Sequence, residues 1–165
     1  MKLLLGGGVL AAAIVVSASL AHSDAAAQID PGAERPMPGE YRAQITFQSI
    51  DMPGAPPQMA DMMSQMMSTT TSYCLTEAEI EEGYRAITNR STQSDEDCTY
   101  ERFSYSGGTI DAEMLCNVDG RTMRMEMTGT GGATSSDITM RMSGDFGMGD
   151  GSMTLRAQHE RIGTC

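Results

Sequence analysis

The sequence predicts a mainly β protein: a single antiparallel meander of about seven strands, strongly curved or barrel-like, with one short helix and a methionine-rich insertion. Apolar and polar residues alternate along much of the chain, and glycine-containing turns separate the alternating segments at regular intervals. Sixteen residues are methionine, and many of them follow the same alternation. Because a period of two puts side chains on one face of a sheet, this methionine stripe predicts a sheet core. The clearest members of the stripe are Met123, Met125, Met127, Met140 and Met142.

The first half of the chain supplies two strands and the predicted helix. Residues 41–48 alternate between apolar and polar side chains, which predicts a half-buried first strand. Residues 69–75 are rich in threonine and predict a second strand. Thr76 and Glu79 have the spacing of a capping box, which predicts a short helix that ends near residue 87.

From residue 98 onward the sequence predicts consecutive hairpins. Asp119-Gly120 is a strong signal for a two-residue type I′ turn. Counting back from that turn gives a register that puts cysteine and methionine side chains on one face. The predicted pairs are Cys116 with Met123, Met114 with Met125, and Ala112 with Met127.

The next hairpin extends the same face to a third strand. A turn at Gly131-Gly132 would set Met125 opposite Ile138 and Met123 opposite Met140. A last turn over residues 147–151 would lead into the final strand. The charged residues of these strands are expected on the opposite face: Glu113, Arg124, Glu126, Asp137 and Arg141.

The N-terminal residues 1–27 resemble a cleaved secretory signal peptide. Lys2 supplies the positive start, residues 3–20 are mostly apolar, and alanines at 25–27 form a small-residue cleavage site. A retained membrane anchor is the alternative, but the apolar run is barely long enough to span a bilayer and is interrupted by glycine and serine. We therefore expect a periplasmic or secreted protein with no membrane span after processing.

The processed chain is expected to contain one domain. Residues 28–39 hold three prolines and predict an extended N-terminal arm, and residues 40–165 predict a single disulfide-linked β domain. Without residues 1–27 the chain has ten arginines against twenty-one acidic residues, a net charge of −11. Nucleic acids and anionic membrane surfaces reward clustered cations, so the charge argues against both as partners.

Four cysteines predict two disulfides, since an even number in an exported chain is typical of a disulfide framework. Of the three possible connectivities, we favour Cys98–Cys116 on neighbouring strands and Cys74–Cys165 joining the early chain to its last residue. A three-residue loop would align Cys98 with Cys116, whereas a two-residue turn at 107–108 would instead direct aromatic side chains towards the methionine face. A β-bulge would satisfy both requirements.

Several short motifs occur in a recognisable order: Pro38-Gly39-Glu40-Tyr41, then Tyr73-Cys74-Leu75-Thr76-Glu77, Asp97-Cys98, the Cys116 strand, and a terminal Arg161-Ile162-Gly163-Thr164-Cys165. In order and spacing the chain resembles the family catalogued as domain of unknown function 3617, exported proteins of Gram-negative bacteria. The resemblance covers nearly all of residues 38–165, with Tyr41 in place of the usual tryptophan. It implies a β-rich domain at a periplasmic or surface location, and it implies no activity.

A second group of methionines has helical spacing. Residues 58–68 carry them at i, i+3, i+4 and i+7, which predicts either a short amphipathic helix or a mobile loop. Methionine is an adaptable apolar side chain, and its thioether is also a soft ligand for Cu(I). The candidate ligand or metal residues are Met59, Met62, Met63, Met66 and Met67.

These patterns favour a noncatalytic envelope protein that binds a small apolar ligand or a partner protein. His159 is the only histidine after residue 27 and could be a general base, but the sequence contains no nucleophile elbow and no phosphate-binding loop. No cofactor is expected. The alternative function is methionine-based binding of Cu(I) or another soft metal, with copper as the bound ion.

Overall fold

The computed structural model describes residues 28–30, 32–56, 58–81, 83–84, 87, 97–147 and 149–165, so the predicted signal peptide lies outside the described residues. Eight strands and two helices are present in these segments. In chain order they are β1 Gln28–Ile29, β2 Gly39–Asp51, α1 Met59–Met67, β3 Thr69–Leu75, α2 Glu77–Ile80, β4 Asp97–Ser106, β5 Thr109–Val118, β6 Arg121–Gly131, β7 Ser135–Asp145 and β8 Asp150–Gly163.

The strands form one sheet in the order β1-β4-β5-β6-β7-β8-β2-β3. Seven of them are antiparallel, as predicted, and only the two-residue β1 runs parallel to its neighbour β4. The first long strand and the last strand are neighbours, since β2 pairs with β8. The predicted barrel-like closure is wrong, because β3 occupies one edge and β1 the other, and the sheet does not close between them.

The structure has two helices in the described segments, where the sequence predicted one. The additional helix is α1, so the helical alternative for the first methionine-rich segment is correct and the mobile-loop alternative is not. Helix α2 begins with the predicted capping box, in which the Thr76 side chain accepts from the Glu79 N–H and the Glu79 carboxylate accepts from the Thr76 N–H. It ends at Ile80, earlier than the expected residue 87. Neither helix is long and apolar enough to cross a membrane.

The β5–β6 hairpin has the predicted register. Cys116 lies opposite Met123, Met114 opposite Met125, and Ala112 opposite Met127. The turn residues Asp119 and Gly120 both have positive φ, 51° and 77°. A type I′ turn requires this conformation at both central positions, which is why the Asp-Gly pair predicted the register correctly.

The predicted register of β6 against β7 is wrong. Met125 lies opposite Met142 instead of Ile138, and Met127, not Met123, lies opposite Met140. The turn is displaced by two residues, to 133–134, and the Gly132 N–H donates to the Ser135 carbonyl at 2.9 Å. Because the error shifts the pairing by an even number of residues, the methionines remain on the predicted face.

Gly131 stays in β6 because a tyrosine packs where its side chain would be. A β-carbon at Gly131 would overlap the ring of Tyr84, which is 2 % exposed. The Tyr84 hydroxyl donates to the carbonyls of Gly132 and Ser135, the latter at 3.2 Å. Gly131 therefore provides space for an aromatic ring, and the glycine pair does not form the turn that its composition suggested.

We expect Gly131→Ala to lower the free energy of unfolding by about 1–3 kcal/mol, because the added methyl group overpacks the contact with Tyr84. Urea denaturation of the purified protein measures the change. In a Tyr84→Leu background the same alanine should cost less, and Gly163→Ala is a matched control, since a β-carbon there meets no atom within 4 Å. An unchanged midpoint for Gly131→Ala would contradict the assignment.

The β4–β5 hairpin combines the two features that the sequence left in conflict. Cys98 lies opposite Cys116, while the turn consists of two residues, Gly107 and Gly108, with φ of 57° and 78°. A register shift between Tyr100 and Arg102 reconciles them, as expected for a β-bulge. Its effect is that aromatic side chains beyond the bulge join the core: Phe103 is 2 % exposed and Tyr105 3 %.

The core lies on the methionine face of the sheet. Its largest fully buried side chains come from β2, β3, β5, β6 and β7 and from residues that follow α2. Two buried tyrosine hydroxyls at the end of the sheet donate hydrogen bonds to backbone carbonyls: Tyr105 donates to Glu34 at 2.6 Å and Tyr41 to Met37 at 2.8 Å. Burial raises the pKa of both phenols, so they remain protonated hydrogen-bond donors.

The same hydrogen bonds attach the N-terminal arm to the domain. Tyr41 and Tyr105 bind arm carbonyls, and the Met37 N–H donates to the Ala133 carbonyl at 2.8 Å. The Arg161 side chain donates to the Pro38 carbonyl at 2.8 Å. The arm is therefore joined to the strand ends of β4, β8 and the β6–β7 turn.

Candidate functional site

Helix α1 presents the methionines that the sequence selected as candidates. It follows a proline-rich segment, and its first turn is closed by the Met59 N–H donating to the Pro56 carbonyl at 2.9 Å. Its end is joined to β2, because the Phe47 N–H donates to the Ser68 hydroxyl at 3.3 Å. The helix is thus fixed to the sheet at its C-terminal end.

The fold divides the five candidate methionines into two sets. Met63 and Met67 are half-buried and pack against the core cluster. Met62 is 61 % exposed and Met66 is 76 % exposed. With about 100° between successive residues, the two sets lie on adjacent sides of one helix.

Met59 is half-buried and lies on the same side of the helix as Met62 and Met66. Positions separated by three and four residues are neighbours on a helix surface, with β-carbons about 5–6 Å apart. Met59, Met62 and Met66 therefore form a continuous surface, which we call the α1 methionine face. Long, flexible thioether side chains at this spacing can converge on a soft metal ion, or they can adapt to an apolar surface.

The methionines of the sheet have a different environment. Six of them are between 0 and 9 % exposed and belong to one core cluster with tyrosine, leucine and isoleucine side chains, while Met142 is half-buried against that cluster. This agrees with the prediction that the stripe is a sheet core. The buried members are Met114, Met123, Met125, Met127, Met140 and Met153.

His159 is buried in the same face of the sheet and is 3 % exposed. A hydrogen bond of 2.9 Å joins its Nδ1 to the Tyr73 hydroxyl, and the two rings meet edge to face at 5.9 Å. Burial lowers the pKa of His159 to about 4, so the imidazole is neutral at pH 7. Sequence analysis did not reveal the tyrosine partner.

Ser136 is the cross-strand neighbour of His159 and is also buried. Its hydroxyl and the histidine Nε2 have no hydrogen-bond partner among the described residues. A serine beside a histidine suggests a nucleophile with its base. Both side chains are almost fully buried, and the two residues also border the depression on the polar face of the sheet.

The other face of the sheet contains a depression of about 540 Å³ that sequence analysis missed. It is lined by polar side chains from β2, β6, β7 and β8, which include Arg42, Gln44, Asp137 and Gln158. Most of the charged groups are already paired: Arg156 donates to Asp137, which lowers the pKa of that carboxyl, and Arg42 lies 3.7 Å from Glu160. No single segment signals this depression, because its lining is divided among four strands.

The cysteines form the two pairs that the sequence favoured. Cys74 and Cys165 have Cα atoms 5.8 Å apart, and the Cα atoms of Cys98 and Cys116 are 4.0 Å apart. The described residues leave no cysteine free as a nucleophile or a metal ligand. They also contain no cluster of three or more histidine, cysteine or acidic side chains that could hold a metal ion. In the described part of the chain, the soft metal ligands that remain are methionine thioethers.

Comparison with known proteins identifies a family and no individual relative. A family model described as "Protein of unknown function (DUF3617)" matches residues 36–165. No curated protein matches the chain, and no solved structure matches it.

Proposed function

Because the chain belongs to the DUF3617 family, for which no function is known, we propose from its geometry that it is a noncatalytic, exported binding protein of the cell envelope, and that the α1 methionine face binds Cu(I). The observation that carries the proposal is the exposure of Met62 and Met66, 61 % and 76 %, beside sheet methionines that are nearly inaccessible. In this proposal, residues 1–27 are a signal peptide, and the methionine-rich segment is an insertion that carries the binding function.

The chemistry of the α1 methionine face supports a soft metal ion as its ligand. All the large apolar residues of α1 are methionines, with no leucine, isoleucine or valine among them. An apolar docking surface has no need of sulfur, whereas a Cu(I) site needs sulfur at each ligating position, because thioethers are soft ligands that select Cu(I). Met59, Met62 and Met66 would hold the ion.

A small apolar ligand inside the sheet is less well supported. The methionines that would line such a site pack against one another and against aromatic side chains. Neither the depression on the polar face nor a second, smaller concavity has a methionine in its lining. The second is a cleft of only about 30 Å³ beside Tyr84 and Phe103. Binding sites for small molecules usually have several hundred Å³.

Noncatalytic action is supported by the location of the reactive groups. His159 is enclosed at 3 % exposure, and its Nδ1 is bonded to Tyr73. The cysteines are paired. The arginine and acidic side chains of the depression on the polar face are engaged in ion pairs and hydrogen bonds. Ser136 and His159 also border it, but no hydrogen bond joins the Ser136 hydroxyl to the imidazole, as activation by a base requires.

Titration of the purified, disulfide-bonded protein with Cu(I), in competition with a colorimetric Cu(I) chelator, tests the proposal. We expect the Met62→Leu/Met66→Leu variant to bind Cu(I) at least about tenfold more weakly, because it loses two thioether ligands, while leucine preserves the volume and apolar character of the helix face.

The matched control is Met125→Leu/Met140→Leu, which removes two buried sulfurs and should leave Cu(I) binding unchanged. Equal affinity of the wild-type protein and the Met62→Leu/Met66→Leu variant would contradict the copper proposal. If a protein partner instead binds the wild-type protein and Met62→Leu/Met66→Leu but does not bind Met62→Gln/Met66→Gln, the surface is an apolar docking site.

A further inference from the structure

Strand β3 is an edge strand that lacks the usual protection. In the described part of the chain it has a strand neighbour only on its β2 side. Its sequence, TTTSYCL, contains no charged residue and no proline, and residues 69–72 are exposed. Proteins normally block a free edge with charges, prolines, bulges or a covering segment, because an unpaired row of backbone groups is a template for another strand.

The opposite edge of the same sheet has several of these protective features. Strand β1 covers part of β4 by pairing Gln28 with Ser104 and Ile29 with Tyr105. The β4 strand also contains a register shift next to Arg102, and its sequence carries Asp97 and Glu101. Among the described residues, β3 is therefore the less protected of the two edges.

The direction of the backbone groups on β3 follows from the contact at its start. The Phe47 N–H donates to the Ser68 hydroxyl, so the odd-numbered residues of β2 direct their backbone groups towards β3. Ala43, which lies opposite Thr71, is one of them. Since the N–H and C=O of a residue in an antiparallel strand point the same way, Thr71 bonds to β2, while Thr70 and Ser72 direct both groups to the open side.

We propose that β3 docks in antiparallel fashion onto β3 of a second copy of this chain, which joins the two sheets across a twofold axis. The strand is self-complementary: two copies place uncharged hydroxyl side chains opposite one another, so no like charges face each other along this strand, although each chain carries a large negative charge. The Cys74–Cys165 bridge holds the end of β3, so little additional ordering accompanies docking. This interface is separate from the α1 methionine face.

Sedimentation velocity over a series of protein concentrations tests the proposal. We expect the wild-type protein to form a dimer and Ser72→Pro to raise its dissociation constant at least about tenfold, because proline removes an outward N–H and its ring blocks the edge. The thermal midpoint of Ser72→Pro should stay near that of the wild-type protein, since this N–H is not bonded to β2. Thr70→Lys, which adds a charge to the edge without changing the backbone, should weaken the dimer likewise.

Ser72→Thr is the matched control, and it should dimerise as the wild-type protein does. A wild-type protein that remains monomeric at every concentration overturns the proposal, and so does a dimer that persists in both Ser72→Pro and Thr70→Lys. Met62→Gln/Met66→Gln should dimerise normally. If it is monomeric while Ser72→Pro remains a dimer, the contact lies on α1 and the β3 proposal is wrong.

Discussion

Replacing Cys74 and Cys165 together by alanine is expected to lower the free energy of unfolding by about 4–5 kcal/mol. The two residues are 91 positions apart, so their bridge closes most of the domain into a loop. In the chain-entropy description, the stabilisation comes from restricting the unfolded chain and grows with loop length. Both cysteines are exposed, so the substitution removes little packing from the folded protein. Urea denaturation without reductant measures the change.

The second disulfide provides a graded comparison. Cys98 and Cys116 are separated by 18 positions, for which the same description gives about 3 kcal/mol. Cys116 is buried, so its replacement by alanine also removes core contacts. Reductant breaks the one bridge that remains in each double variant. The difference between the oxidised and reduced forms therefore measures the long loop in Cys98→Ala/Cys116→Ala and the short loop in Cys74→Ala/Cys165→Ala. If reductant destabilises the wild-type protein no more than Cys74→Ala/Cys165→Ala, the long bridge does not contribute as proposed.

The local turn chemistry of the sequence predicted much of the sheet. Asp119 and Gly120 set the β5–β6 register because few residue pairs adopt positive φ at two successive positions. The bulge near Tyr100 was predictable because two requirements could not otherwise be met together. Gly131 misled the prediction because its function depends on the ring of Tyr84, 47 residues away, and no local pattern contains that contact.

The candidate site was only partly predictable for the same reason. Helical spacing grouped Met62 and Met66 with Met63 and Met67 as candidates, but which side of α1 faces the sheet depends on how the helix packs. Closure of the sheet is likewise a property of its two edges. The edges depend on the position of β3 and on the pairing of β1 with β4, and the arm sequence gave no sign of that pairing.

His159 should make the stability of the protein strongly dependent on pH in the acidic range. Burial lowers its pKa from an ordinary value of 6.5 to about 4, so protonation favours the unfolded chain. The stability that His159 contributes is complete above pH 6.5, decreases as the pH falls through this window, and is lost below pH 4. With 1.36 kcal/mol per pH unit, the loss over this window is about 3 kcal/mol.

The comparison that isolates this effect is His159→Gln, whose amide does not titrate and can still hydrogen-bond to Tyr73. Carboxylates titrate in both proteins, so the difference between their unfolding free energies reports on the imidazole alone. We expect that difference to change by about 3 kcal/mol in favour of the variant between pH 7 and pH 4. Parallel curves would show that the ring is solvated in the folded protein. The imidazole proton resonances provide an independent check, because burial should keep them unchanged until the pH approaches 4.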